Sequence, residues 1–544
     1  MLGLMMDRPL LVSMLIEHAA QYHPDGEIVT RTIEGPMHRY TYADARRRAK
    51  QVANALKRLG IRPGDRVATL AWNTHRHYEL YFGISGLGAV CHTINPRLFR
   101  EQIEFIVNHA EDALLFVDLT FVPLVEALAP KLGSIRHYIV MTDRSHMPET
   151  KLPNVLCYEE LVGTESDEFD WPELDERTAC VLCYTSGTTG NPKGALYSHR
   201  STLLHTWAVS SRDGVGFSSR DVICPIVPMF HVNAWGVPYA ATMTGAKLVM
   251  PGPGLDGASL CELFEREGVN LALGVPTVWL GFLKHMADSG RTSTPLKRLL
   301  VGGSAAPLAL IETLEKTYGV EVMHGWGMTE MSPVGTVSTL KGKHAGLSVD
   351  DQLAVKAMQG RPLFGVELKI VDAEGRRLPH DGQAVGELLV RGPWIISAYY
   401  KDEAASRAAF DEEGWFRTGD VCTIDPDGYL RITDRRKDVI KSGGEWISSI
   451  DVENAAMGHP DVAEAAVIGL PHPKWDERPL LIIVPKPGRQ PSRDALLEFL
   501  SARMAKWMLP DDVVFTEELP HTATGKLLKT KLREIYKDYR LPTA

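Results

Sequence analysis

Residues 184–194 read Tyr-Thr-Ser-Gly-Thr-Thr-Gly-Asn-Pro-Lys-Gly, gathering three glycines, four aliphatic hydroxyls and a lysine. Backbone N–H groups can converge on one anion where no Cβ obstructs the turn, so Gly187, Gly190 and Gly194 suit a phosphate loop. Thr185, Ser186, Thr188 and Thr189 would add hydroxyl donors, and Lys193 the positive charge. The spacing is not that of a Walker A motif, because Pro192 precedes the lysine and Gly194 follows it. An ordinary glycine-bearing turn is the competing reading. Three further dense segments stand behind apolar runs: Pro-Met-Phe-His-Val-Asn-Ala-Trp at 228–235, Val-Gly-Gly-Ser-Ala-Ala-Pro at 301–307, and His-Gly-Trp-Gly-Met-Thr-Glu at 324–330. If each run is a parallel strand, all four segments sit at carboxyl ends and can face one crevice.

The elements that must hold these segments follow from hydrophobic period. Ala45, Ala49, Val52, Ala53, Leu56 and Leu59 recur at helical spacing and stop at Gly60. Strands are expected at 67–71, 90–94 and 114–117, with helices at 78–87 and 101–109 between them. Such alternation argues for parallel sheets wrapped by helices. The apolar run 178–183 leads into the phosphate loop as a strand, and 320–323 is expected to end as a strand before His324. Residues 143–175, rich in Pro, Asp and Glu, read as a surface connection. From Gly360 the pattern changes to short strands and turns, including 367–371, 386–391 and the turn at Pro426-Asp427-Gly428. The charged segment 433–438 interrupts periodicity before a closing α+β pattern, with helices at 450–457 and 494–504 and strands at 463–468 and 480–484. The expected architecture is therefore α/β: a large N-terminal domain, residues 1–433, of parallel αβαβα sheets with a β-rich subdomain at about 360–433, then a small mobile α+β domain at 434–544.

At 544 residues the chain exceeds one ordinary core. Its 59 basic and 68 acidic residues give a net charge of -9 without a dense basic run, which argues against nucleic acid or a polybasic membrane surface as partner. No apolar stretch approaches the roughly 20 residues of a membrane span. Residues 1–23 read as a helix of the mature protein, since Asp7, Arg8 and Glu17 interrupt the apolar pattern. Seven cysteines without paired spacing suggest a reducing cytoplasm. Cys180 and Cys183 form a Cys-x-x-Cys, but with no second ligand pair they read as buried strand residues.

The ordered motifs at 184–194, 325–330, 417–420 (Arg-Thr-Gly-Asp), 434–437 (Asp-Arg-Arg-Lys) and 520–526 (Pro-His-Thr-Ala-Thr-Gly-Lys) resemble those of the adenylate-forming superfamily, over residues 42–531. The resemblance is to its acyl-CoA synthetases, most nearly medium- and long-chain fatty-acyl-CoA ligases and methylmercaptopropionate-CoA ligases. It implies two half-reactions: a carboxylic acid attacks the α-phosphate of ATP, giving acyl-AMP and pyrophosphate, and CoA thiolate then displaces AMP. Two anions must be brought together, so the chemistry needs preorganised positive charge more than proton transfer.

By the same resemblance, Lys526, His231 and Thr329 are the catalytic expectations, Lys526 as a movable charge bridging carboxylate and ATP. Glu330, with Thr185, would hold Mg²⁺. ATP and AMP would meet Thr185, Ser186, Gly187, Thr188, Thr189, Gly190, Lys193, Gly302, Gly303, Ser304, His324, Gly325, Trp326, Gly327, Met328, Thr329, Asp420 and Arg435. Asp420 would take the ribose hydroxyls. Trp326 stands where relatives usually carry Tyr, keeping a stacking face for adenine and losing a phenolic donor. His231 replaces the Asp that amino-acid-activating relatives pair with a substrate ammonium, which argues against amino-acid substrates. Trp235, Met229 and Val232 are the acyl-wall expectations, apolar and suited to an alkyl or thioether chain. Lys441, Gly443, Gly444 and Trp446 would line the pantetheine tunnel for CoA, with Lys437 as hinge. Lys474 and Arg478 are candidate contacts for CoA phosphates. A short-chain or aryl acid ligase is the alternative within the superfamily, and a non-catalytic nucleotide-binding protein the alternative outside it. A homodimer is the expectation for assembly.

Overall fold

A computed structural model of the chain describes residues 1, 3–185, 191–435, 437–442, 445–521 and 527–544, with backbone alone at 445 and 446. Among the described residues four β-sheets form. The helix Tyr42–Arg58 shows how local sequence builds the layers around them. Thr41 caps it by accepting from the Asp44 N–H while Asp44 returns the bond, and Ala45, Ala49, Val52 and Leu56 form its buried stripe.

One seven-stranded sheet runs Val155–Cys157, His137–Val140, Leu114–Val117, Arg66–Leu70, Val90–Thr93, Ala179–Tyr184, Gly194–Ser198. Its pairings are parallel up to the last, where Gly194–Ser198 folds back antiparallel on Ala179–Tyr184. A nine-stranded sheet runs Arg361–Pro362, Val334–Val337, Glu321–Gly327, Arg298–Val301, Leu271–Gly274, Val222–Pro225, Lys247–Met250, Glu27–Arg31, Met37–Thr41. Its centre is parallel and both edges are antiparallel, so the expectation of purely parallel sheets holds only for the interiors. A four-stranded antiparallel sheet follows, Glu367–Val371, Gly386–Arg391, Phe416–Ile424 and Leu430–Arg435. The last sheet is built on Asp476–Pro485 and Val462–His472, with Ile440–Ser442, Glu445–Ile447 and Asp512–Phe515 added. Its hydrophobic clusters draw on residues between Ile440 and Leu541.

Four expectations are corrected. Residues 143–175 are not merely a surface connection: they hold the strand Val155–Cys157 and the helix Tyr158–Gly163. Their polar residues meet buried charges, Tyr158 Oη donating to Glu79 at 2.7 Å and Glu159 pairing Arg76 and Arg48, which a search for hydrophobic period passes over. The helix expected over 1–23 is confined to Ser13–Tyr22. The strand expected to end before His324 runs on through Gly327. The charged segment 433–438 does not begin as a break, because Leu430–Arg435 continues as a strand whose Asp420 and Arg435 lie in register. Among the described residues no helix is long and apolar enough to cross a membrane.

Candidate active site

The strands deliver their carboxyl-terminal segments to a cavity of about 550 Å³, lined from both large sheets, the four-stranded sheet and the closing domain. At one end of it, Thr185 and Lys193 face each other across the stem of the glycine-rich loop. The Thr185 N–H donates to the Lys193 carbonyl at 2.9 Å, and the Lys193 N–H donates to Thr185 Oγ1 at 3.1 Å. The loop thus closes an antiparallel hairpin instead of opening a helix. Gly194 lies in the returning strand, where a Cβ would come within 3.1 Å of Tyr400 and 3.2 Å of Leu182, so it serves close packing and not the turn. Ser186, Gly187, Thr188, Thr189 and Gly190 lie outside the described residues.

The Lys193 ammonium sits 5.0 Å above the Tyr399 ring, and Tyr399 Oη donates to Glu330 Oε1 at 2.7 Å. Burial pushes the Glu330 carboxyl up; the Tyr399 hydrogen bond and the Arg435 and Lys193 charges act against that shift. Thr329 is fixed from behind, its carbonyl accepting from Tyr197 Oη. Tyr197 and Tyr399 were not singled out in the sequence. Tyr197 has a weak signal, three residues along the strand that leaves the loop; Tyr399 has none.

At the end formed by Trp326 and Arg435, Asp420 is buried behind the cavity wall. Trp326 Nε1 donates to its Oδ2 at 2.8 Å, and Arg435 Nε pairs with its Oδ1 at 2.7 Å. The exchange of Tyr for Trp therefore keeps a donor, and the carboxylate fixes the indole so that Trp326 and Arg435 line the cavity together. A carboxylate has about four acceptor positions, so Asp420 keeps lone pairs beyond these two bonds. Gly302, Gly303 and Ser304 leave the strand Arg298–Val301 into the same wall, as do Gly325, Gly327 and Met328. A Cβ on Gly302 would lie 3.0 Å from the Gly325 carbonyl and 3.1 Å from the Trp235 ring. His324 does not line the cavity. Its Nδ1 bonds to the Ala357 carbonyl at 2.9 Å, its Nε2 accepts from the Ala306 N–H at 3.3 Å, and burial pushes the imidazole down to about 4, so it is a neutral brace for the 302–307 turn.

On the wall where the acyl contacts are expected, Val232, Asn233, Ala234 and Trp235 form a left-handed turn with φ of 48°, 55°, 50° and 56°, followed by Gly236 at 82°. Left-handed backbone costs roughly 1–2 kcal/mol for each such residue, so surrounding contacts must impose it. Asn73 donates to the carbonyls of Pro225 and Val227 at 2.8 and 2.9 Å and accepts from the Met229 N–H at 2.6 Å; Cys183 Sγ donates to Asn233 Oδ1 at 3.3 Å. The turn brings His231, Val232 and Trp235 to the cavity. Met229 is fully buried outside its lining, which corrects the reading of it as acyl wall, whereas Leu280 and Leu300 line the cavity. Cys180 and Cys183 are buried strand residues, their thiols pushed up by burial to about 12 and about 11.

From the closing domain, His521 and Leu527 line the cavity on either side of the segment that carries Lys526, itself outside the described residues. Lys437 also lines it, whereas Lys441 is exposed and does not. Gly443, Gly444 and the Trp446 side chain lie outside the described residues. Arg478 is occupied within its own domain, donating to Asp511 at 2.7 Å, Ser442 Oγ at 3.0 Å and the carbonyls of Trp507 and Leu509, so the reading of it as a CoA contact is withdrawn. Lys474 lies 4.6 Å above the Trp475 ring.

Residues 16–400 match the AMP-binding enzyme family, and residues 451–526 the AMP-binding enzyme C-terminal domain. The chain is 52% identical over 540 residues to a 3-methylmercaptopropionyl-CoA ligase of Ruegeria lacuscaerulensis, covering 99% of each. It is 49% identical over 541 residues to a medium-chain-fatty-acid–CoA ligase of Ectopseudomonas oleovorans, covering 99% of this chain and 98% of that one. Among solved structures, an anthranilate CoA ligase in complex with anthranoyl-AMP superposes with a TM-score of 0.86 at 28% identity, covering 98% of both chains. With a cavity that joins a phosphate-loop stem, a carboxylate-held indole and a buried glutamate, the chain belongs to the AMP-binding enzymes of the adenylate-forming superfamily, as an acyl-CoA synthetase.

Proposed function

We propose that the chain activates an uncharged aliphatic or thioether acid, 3-methylmercaptopropionate or a medium-chain fatty acid, first as acyl-AMP and then as the CoA thioester. The observation that carries this reading is the convergence on one cavity of Thr185 and Lys193, the 302–304 turn, Trp326 to Glu330, and the residues flanking Lys526. Lys193 and Lys526 neutralise the phosphates and the substrate carboxylate as charge develops at the α-phosphorus, with Thr329 as donor there and His231 beside the acyl carbonyl. Trp326 stacks on adenine while Asp420 and Arg435 hold the ribose.

The donor set fits Mg²⁺ arriving with ATP. Glu330 offers one buried carboxylate, Thr185 lines the same cavity, and among the described residues no cluster of three or more His, Cys, Asp or Glu could hold a metal by itself. Bound there, the ion would neutralise phosphate charge. CoA would enter past Lys441 and Gly443-Gly444 once the closing domain turns about Lys437; the strand Leu430–Arg435 stays with the four-stranded sheet, so the division expected at 433–434 falls at Lys437.

The acyl end is walled by Val232, Trp235, Leu280, Leu300 and Met328, which favours an apolar chain, and His231 stands where an ammonium-pairing Asp would be expected. Pyrophosphate release with 3-methylmercaptopropionate, butyrate, hexanoate, octanoate, palmitate and benzoate tests the class. Highest kcat/KM on 3-methylmercaptopropionate, hexanoate or octanoate supports it, and preference for butyrate, palmitate or benzoate overturns it in favour of a short-chain, long-chain or aryl acid ligase respectively. All seven cysteines are free and buried, which supports a reducing compartment, the cytoplasm. A homodimer is the proposed assembly, decided by sedimentation equilibrium.

A further inference from the structure

The strand Leu430–Arg435 ends two residues before the hinge position Lys437, and the helix Ser449–Met457 begins beyond it. Four ties join the two across that position. Asp434 Oδ2 accepts from the Ser449 N–H at 2.7 Å and from Ser449 Oγ at 2.6 Å. Ser448 Oγ donates to the Thr433 carbonyl, and Arg431 pairs with Asp451 at 2.9 Å. Behind Ser449, Lys529 from the last helix donates to its Oγ and pairs with Glu453 at 2.8 Å, while the Val467 N–H also binds Glu453 at 2.7 Å. Asp434, Ser449, Glu453 and Lys529 are all buried.

Buried charges of this kind hold only while their partners stay in place. Ser448, Ser449, Asp451, Glu453 and Lys529 belong to the closing domain and move with it, whereas Arg431, Thr433 and Asp434 stay with the four-stranded sheet. Turning about Lys437 therefore pulls the Asp434 carboxylate from the helix start and from the charge of Lys529 in one event. In the orientation so held, His521 and Leu527 line the cavity and Lys441 does not. We infer that Asp434, Ser449 and Lys529 form a clasp across the hinge that holds the chain in the orientation for acyl-adenylate formation, an inference that rests on the two-step function proposed above. They are positioning residues, setting how the closing domain divides its time between the two steps.

The test uses the full chain with Ser449→Ala, which removes the hydroxyl shared by Asp434 and Lys529, and Asp434→Asn as second variant should the first not fold. Three readouts are taken: tryptic cleavage at the basic residues 435–437, pyrophosphate exchange into ATP, and conversion of supplied acyl-AMP to acyl-CoA. A hydrogen bond to a charged group shifts such an equilibrium by about tenfold. The clasp predicts cleavage and the ratio of thioester formation to exchange both rising by about that factor, with an unchanged thermal midpoint. Unchanged cleavage and an unchanged ratio overturn it. Equal losses in both half-reactions with a lowered midpoint also overturn it, showing a network that only stabilises the fold. If the wild-type chain performs neither half-reaction, the functional reading fails separately, and the cleavage comparison still decides the clasp.

Discussion

Glu330 shows how a single side chain carries opposed demands. Burial raises its carboxyl above the unfolded value, so its favourable contribution to folding is complete below the unfolded carboxylate range and is lost as pH rises through the raised folded value. Above that value the ionised form is a cost, which a cation bound there would offset. Glu330→Gln should therefore raise the thermal midpoint at about pH 7.5, with a gap from wild type that narrows towards about pH 4, while acyl-AMP formation falls about 10²- to 10³-fold. Calorimetry across pH and a pyrophosphate-exchange assay check the two halves, and a lower midpoint at neutral pH would contradict the account. Lys526→Ala should lose at least ~10²-fold in acyl-AMP formation yet still convert supplied acyl-AMP to thioester. Equal loss in both steps would mean that the lysine does not serve adenylation alone. Trp326→Phe keeps a stacking face and removes the donor to Asp420. It should raise KM for ATP by about tenfold, since a hydrogen bond to a carboxylate is lost, and leave KM for the acid nearly unchanged.

The element proposed to decide the acyl group is the left-handed turn at 232–235, bound by Cys183 at Asn233 and preceded by a segment that Asn73 holds at Met229. It sets the Trp235 indole against Gly302, so turn and strand end form one surface from two elements. Trp235→Ala should shift preference towards longer acids while changing KM for ATP less than twofold or so, an order-of-magnitude expectation for a residue away from the nucleoside. An unchanged chain-length profile would make Trp235 core packing only. Gly302→Ala places a Cβ 3.1 Å from that ring and 3.0 Å from the Gly325 carbonyl. Overpacking at such a site costs roughly 1–3 kcal/mol, so this variant should lower the thermal midpoint and narrow the acid range where Trp235→Ala widens it. Opposite movements of the two profiles are the informative result.

For the molecule as a whole, two half-reactions served by one cavity would ask the closing domain to present different faces to it, with Lys437 as the proposed joint. Lys437→Pro restricts φ there and should trap the orientation in which the residues flanking Lys526 face the cavity, retaining pyrophosphate exchange and losing thioester formation by ~10²-fold or more. The motifs that identify this chemistry were legible in the amino-acid sequence because each is local: glycines, hydroxyls and a lysine within residues 184–194 need no distant partner to be recognised. Elements of strong period, such as Tyr42–Arg58 and Leu114–Val117, were legible for the same reason. Segment 143–175 was not, because its structure rests on polar residues that meet Glu79, Arg76 and Arg48 far away in the chain. His324 and Met229 looked like site residues by their motifs, and only the packing around them turned them into a brace and a core residue. The sequence by itself determined the kind of chemistry, since residue type and local spacing state which charges and donors are available. Tertiary structure alone decided how they are aimed: Trp326 reaches Asp420 across 94 positions and Tyr399 reaches Glu330 across 69, and pairings at such separations arise from the packing of sheets, leaving no local pattern to read.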